Sequence, residues 1–316
     1  MAPLAGLEIA PLEPGDLDAA DRVTRLAFGT FLRLADPLSV FGDAEMLRSR
    51  YAAAPERVFA ARLDGEIAGS VVATRWGSFG FFGPLTVRPD LWDRGIAARL
   101  LEPVMGLFEH WGVRQAGLYT FAQSTKHVWL YQRFGFWPQQ LTAVMGRAPA
   151  APAAAEPWSY SQVPQADGAG VLEECRELTD AIYAGLDVAL EIRAVRAQAV
   201  GDTVLLRRGA VLEGFAVCHC APGGEAPSGL CYVKFGAVRP GEGAGERFEA
   251  LLDACEAFAL GRGAQEVVAG VNLARHDAYR RMLARGYRSR MHGVVMQRPN
   301  EPGYCRPDVH VLDDLR

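Results

Sequence analysis

The stretch Leu85-Thr86-Val87-Arg88-Pro89-Asp90-Leu91-Trp92-Asp93-Arg94-Gly95-Ile96-Ala97-Ala98-Arg99-Leu100-Leu101 decides how the chain reads. Its first residues continue a strand that runs from Phe79, and Pro89 turns the chain into a loop. Gly95 then opens a helix, in which Ile96, Leu100, Val104, Phe108 and Trp111 recur at helical spacing until Gly112 stops it. A helix that starts on glycine and alanine presents bare N–H groups, and these act together with the positive end of the helix dipole. Such a terminus suits phosphate, because no side chain holds the anion away from the backbone.

Working outward, Leu7 to Ile9 reads as a strand, Leu17 to Phe28 as a helix opened by Pro14-Gly15-Asp16, and Asp43 to Ala53 as a second helix. Val58 to Leu63 and Ile67 to Arg75 are strands joined by Asp64-Gly65, a pair that tolerates the positive φ of a tight hairpin turn. After the central helix come a strand at Gln115 to Phe121, a helix at Ser124 to Phe134 and a closing strand at Gln140 to Arg147. This order predicts a mixed α/β layout.

Ala and Pro dominate residues 148–157, a composition that suits a linker better than a core element. It divides the chain into a first domain at 1–147 and a second at 158–316. Beyond it, Val171 to Val200 reads as helical, followed by strands at Asp202 to Arg207 and Val211 to Cys220. A shift of 151 residues superimposes the halves without a gap: Val87-Arg88-Pro89 falls on Val238-Arg239-Pro240, Leu100-Leu101 on Leu251-Leu252, Gly112 on Gly263 and Gly135-Phe136 on Gly286-Tyr287. Two copies of one fold are expected. In the same register Gly95 becomes Glu246, Ala97 becomes Phe248 and Tyr131 becomes Met282, so the second copy loses its phosphate-facing small residues and is expected to be degenerate. Gly241-Glu242-Gly243-Ala244-Gly245 leaves room for a shorter cradle there, with Tyr279 as its hydroxyl.

Val87-x-Pro89 and Gly95-x-Ala97 resemble the GNAT superfamily of N-acetyltransferases, whose motif is Val-x-Pro followed by Gln/Arg-x-x-Gly-x-Gly/Ala at a strand-to-helix junction. Trp92 stands where that family has Gln or Arg. Leu130-Tyr131 and Gly135-Phe136 are similar to the family's Leu-Tyr-x-x-x-Gly-Phe on the last helix. The resemblance implies acetyl-CoA as acyl donor, with the pantetheine arm hydrogen-bonding between two splayed strands along Leu85, Thr86 and Val87. It implies pyrophosphate at Asp93, Arg94, Gly95, Ile96, Ala97 and Ala98, with the side chain of Asp93 turned away. Arg88 and Arg99 are placed near the adenosine phosphate, Ser124 against the cofactor where the family has Asn, and Tyr131 as the acid that serves the departing thiolate. The base stays open between His127, Glu66 and a water chain. The acceptor is implied to be a primary amine of a small molecule or peptide, and the apolar residues between Phe28 and Phe41 suggest a partly hydrophobic one. Two other readings stand beside this one: a mycothiol-synthase-like tandem acetyltransferase with a working second copy, and a non-catalytic acyl-CoA-binding protein.

The remaining composition narrows the field. Lysine and arginine number 33 against 37 acidic residues, a net charge of -4 that argues against nucleic acid as a partner. The six cysteines all fall in the second half and form no CxxC pair. They read as reduced thiols of a cytoplasmic protein, Cys218-His219-Cys220 reads as part of a strand, and no metal is expected. Met1 to Leu12 shows no leader pattern, no membrane span is expected, and the oligomeric state is not legible.

Overall fold

A computed structural model describes residues 4–150 and 157–316; the expected Ala/Pro linker lies mostly outside the described residues. The first half runs β1 (Leu7–Pro11), α1 (Leu17–Phe31), α2 (Met46–Ala53), β2 (Val58–Leu63), β3 (Glu66–Trp76), β4 (Phe79–Val87), α3 (Ile96–His110), β5 (Gln115–Thr120), α4 (Thr125–Gln132) and β6 (Trp137–Arg147). The second repeats the order as β7 (Trp158–Ser159), α5 (Gly168–Ile182), α6 (Ala189–Ala197), β8 (Gly201–Arg208), β9 (Val211–His219), β10 (Leu230–Val238), α7 (Ala244–Gly261), β11 (Glu266–Asn272), α8 (His276–Ala284) and β12 (Arg288–Arg298). A last short strand, β13 (Val311–Leu312), has no counterpart in the first half. The architecture is the mixed α/β fold expected, in two tandem GNAT-like copies.

Among the described residues thirteen strands join one sheet, in the order β1-β2-β3-β4-β5-β12-β6-β11-β10-β9-β8-β7, with β13 on β10. The two middle strands are exchanged: β12 closes the first copy by pairing antiparallel with β5, while β6 crosses to pair with β11 of the second. They also pair with each other through the centre. A cut at 148–157 therefore divides the sequence but not the sheet.

Three local expectations are corrected. The helix expected over 171–200 breaks after Ile182, because Gly185 takes a positive φ of 80° and its backbone contacts Ser78 of the first half. The second helix begins at Met46 rather than Asp43, whose carboxylate instead binds the backbone N–H of Ser228. The ungapped repeat holds in the core, where Leu100, Leu101, Leu251 and Leu252 are all buried, but not at the helix starts. α3 is capped by Gly95 at φ 85° and α7 by Gly243 at φ 75°, so α7 begins three residues earlier in the repeat register, about one turn.

Candidate functional site

β4 and β5 run parallel only where Phe79, Gly80 and Phe81 face Gln115, Ala116 and Gly117. Beyond that point β4 bulges at Gly83-Pro84, its partner β3 shifts register between Val71 and Ala73, and the two parallel strands separate. Leu85, Thr86 and Val87 pair with β3 on one side and have no strand partner among the described residues on the other. They border a cavity of about 610 Å³ that also reaches Asp93, Gly95, Ile96, Ala97, Ala98 and Tyr131. This volume lies within the range of about 300–1,000 Å³ common for small-molecule sites.

The loop before α3 is tied to the strand edge by Trp92, whose indole N–H donates to the carbonyl of Val87 at 2.8 Å. The residue that departs from the family motif thus closes the loop by a hydrogen bond of its own. Asp93 takes a positive φ of 62° and turns its carboxylate to Lys126 Nζ at 3.0 Å, and that ammonium lies over the Trp92 ring. The Asp93 carboxylate is thereby ion-paired beside the helix start.

Not every predicted residue reaches the cavity. Arg94 is exposed outside it, and Ser124 is buried at the start of α4 without lining it. Arg88 is held by Asp90 and Glu66, and Arg99 by Glu102, so both arginines are engaged locally. Glu66 itself is exposed and lies outside the cavity wall.

Tyr131 sits on α4 with its ring against Phe82, and burial pushes its hydroxyl pKa above the ordinary tyrosine range. It therefore remains a neutral donor. One turn earlier, His127 packs between Phe31 and Tyr131 and lines the same cavity. Burial, with the neighbouring charge of Lys126, lowers its pKa below 6.5, so the imidazole is neutral at pH 7.

The opposite wall comes from elements that no local sequence signal brings here. Arg50 of α2 is buried, donates to the carbonyl of Gly83 at the β4 bulge at 2.6 Å, and pairs with Glu225 at 2.5 Å. Glu225 also meets Lys234, which reaches Glu191 at 2.9 Å, and the Trp76 indole donates to Glu191 at 3.0 Å. Two cations and two carboxylates from both halves thus neutralise one another below the cavity. Tyr232, Arg316 and Leu315 complete this side: the Arg316 guanidinium lies 4.5 Å from the Tyr232 ring, and Asp314 binds both.

The second copy has a different occupant. β10 and β11 run parallel from Leu230 to Val233 and then part, in the same repeat register as β4 and β5. Into that gap runs β13, with Gly236 facing Leu312 and Ala237 facing Val311. A shift of 151 makes Gly236 and Ala237 the counterparts of Leu85 and Thr86. The counterpart of Ser124 is Arg275, fully buried, which pairs with Asp313 at 2.8 Å and donates to the Val311 carbonyl at 2.9 Å. At the start of α7 a Cβ on Gly245 would lie 2.2 Å from the Arg281 guanidinium, itself held by Asp277 and Glu249. The shorter glycine cradle is thus packed with a protein side chain.

A family model described as the Acetyltransferase (GNAT) family matches residues 29–136. No curated protein matches the sequence. Among solved structures, one described as a candidate acetyltransferase from Pyrococcus horikoshii aligns with 98% of this chain and 95% of its own at a TM-score of 0.69 and 14% identity. A GCN5-related N-acetyltransferase from Sphaerobacter thermophilus aligns with 93% of this chain and 96% of its own at 0.62 and 17%. A tandem GNAT protein from the clavulanic acid biosynthesis pathway aligns with 92% of this chain and 98% of its own at 0.56 and 15%. At these identities the structural likeness is one of fold, and the family match is confined to a segment that holds the splayed strand, the glycine-capped helix and Tyr131. Residues 29–136 thus match the GNAT acetyltransferase family, and the chain as a whole shares its fold with a tandem GNAT protein.

Proposed function

We propose that the chain transfers an acetyl group from acetyl-CoA to a primary amine of a small molecule or peptide, and that only the first copy, residues 1–147, carries out the reaction. The observation that supports this most directly is the equivalence of the two strand gaps. In the second copy Gly236 and Ala237 pair with a strand of the protein itself; in the first, Leu85 and Thr86 offer the same backbone to the cavity. The pantetheine amides have a strand edge to extend there, and the N–H groups at Gly95 to Ala98 suit the pyrophosphate. A second, degenerate domain at 158–316, joined by the segment 148–157, then serves as a wall and a support. The reading with a working second copy is disfavoured by β13 and by Arg281.

In this mechanism the neutral amine attacks the thioester carbonyl and the carbon–sulfur bond breaks. Among the titratable groups in the wall, Glu225 and Asp93 are each ion-paired, whereas His127 is neutral and has no ion-pair partner among the described residues. His127 is therefore our choice to take the proton from the amine. Tyr131 donates toward sulfur, where negative charge develops. Its raised pKa keeps that donor in place at every working pH.

No helix among the described residues is long and apolar enough to cross a membrane, and the six cysteines are unbridged; we place the protein in the cytoplasm. Incubation with acetyl-CoA and a panel of primary amines, following free thiol and the acetylated product together, tests the activity. Amine-dependent thiol release is expected, and tight acetyl-CoA binding without turnover on any amine would leave a binding protein instead.

A further inference from the structure

Resting on that reading, we infer that the acceptor is a monoamine with an apolar body, and that the site rejects acceptors carrying a second cation. Ala226, Tyr232 and Val268 line the cavity as part of a small apolar cluster that Val144 completes, with Tyr119, Leu230 and Met291 packed on it. Phe28 and Phe41, which also line the cavity, meet edge to face at 5.3 Å.

The charges in the wall matter as much as the apolar area. Among the described residues the cavity wall holds the cations Arg50, Lys126, Arg133 and Arg316 and the side-chain carboxylates Asp93 and Glu225, and Asp314 pairs Arg316 from behind. Neither wall carboxylate is available to an incoming ammonium. Asp93 is held by Lys126, while Glu225 is clamped by Arg50 and Lys234, and those cations hold its pKa well below the ordinary carboxylate range. Asp314, just behind the wall, is engaged by the Tyr232 hydroxyl and by Arg316. A site built for polyamines or amino sugars needs unpaired carboxylates, because a desolvated ammonium without a counter-charge is strongly penalised. A mostly apolar wall whose carboxylates are already paired does the reverse: desolvation there lowers the pKa of a bound amine and so favours the neutral nucleophile.

The matched pair hexylamine and 1,6-diaminohexane tests this, since the two differ by one terminal ammonium on the same chain. With acetyl-CoA binding followed by calorimetry in parallel, kcat/KM for hexylamine or 2-phenylethylamine is expected to exceed that for the diamine by about 100-fold or more. Met291→Glu, which adds a carboxylate to the cavity wall, is expected to narrow that ratio by about tenfold. Equal or better use of the diamine overturns the inference, as does binding of acetyl-CoA with no acetylation of either monoamine. Failure of acetyl-CoA to bind at all overturns the underlying reading of the site, which the calorimetry distinguishes.

Discussion

The two copies present the same gap between parallel strands and treat it in opposite ways. In the first, β4 parts from β5 after Phe81 and its outer edge at Leu85 to Val87 faces a cavity. In the second, β10 parts from β11 after Val233 and its outer edge is covered by Val311 and Leu312. The helix starts differ in the same sense: Gly95 leads into Ala97 and Ala98, which line the cavity, while Gly245 packs against Arg281. An unpaired strand edge in a protein interior needs a hydrogen-bonding partner. The second copy supplies that partner from its own tail, whereas the first leaves its edge facing a cavity, where we propose that the ligand takes the partner's place. Duplication has thus kept the fold twice and, on our reading, the cofactor site once, while the tail that fills the second gap goes on to build a wall of the first through Leu315 and Arg316.

Substitutions can break this asymmetry. The largest effect is expected from Gly95→Glu, which places a bulky carboxylate at a residue with φ 85° and at the helix start. Acetyl-CoA affinity should fall by at least about 100-fold by calorimetry, through strain and like-charge repulsion. Glu246→Gly, the reciprocal change in the second copy, should leave that affinity alone. Next in size, Tyr131→Phe should lower the maximal rate by about 10²–10⁴-fold with cofactor affinity within a few-fold, whereas Tyr279→Phe should be close to neutral. The smallest of the three is His127→Asn, at the low end of the general-base range, about 10²-fold, because water can stand in for the imidazole. Its pH profile carries the distinctive sign. Protonation removes the base, and the pKa of His127 lies below 6.5, so the wild-type rate should hold through neutral pH and fall only in more acid solution. The asparagine variant should lose that acid limb.

Much of this was legible in the sequence, for identifiable reasons. The strand, loop and glycine-started helix around Gly95 are local features, written in residues a few positions apart, and the repeat at 151 residues follows from core leucines and turn glycines. What escaped depends on contacts distant in sequence. Arg50 and Glu225 are 175 residues apart, and nothing in either neighbourhood announces that they meet. The exchange of β6 and β12 leaves the pattern of each strand unchanged, since either partner buries the same face. The tail could have been suspected: Val309, Val311 and Leu312 form an apolar run after Pro302-Gly303, a strand signal without a place in the repeat. The register at the second helix start was misread because an ungapped shift cannot show a loop shortened by one turn and a helix lengthened by the same amount.

The central claim is that one of the two strand gaps takes acetyl-CoA and the other is filled by the protein. Titration of the full chain with acetyl-CoA, read by calorimetry for stoichiometry and by hydrogen exchange for location, tests it directly. The account predicts one equivalent bound per chain, with new protection at residues 85–87 and 95–98 and none at residues 236–246. Two equivalents per chain, or protection confined to the second copy, would contradict it.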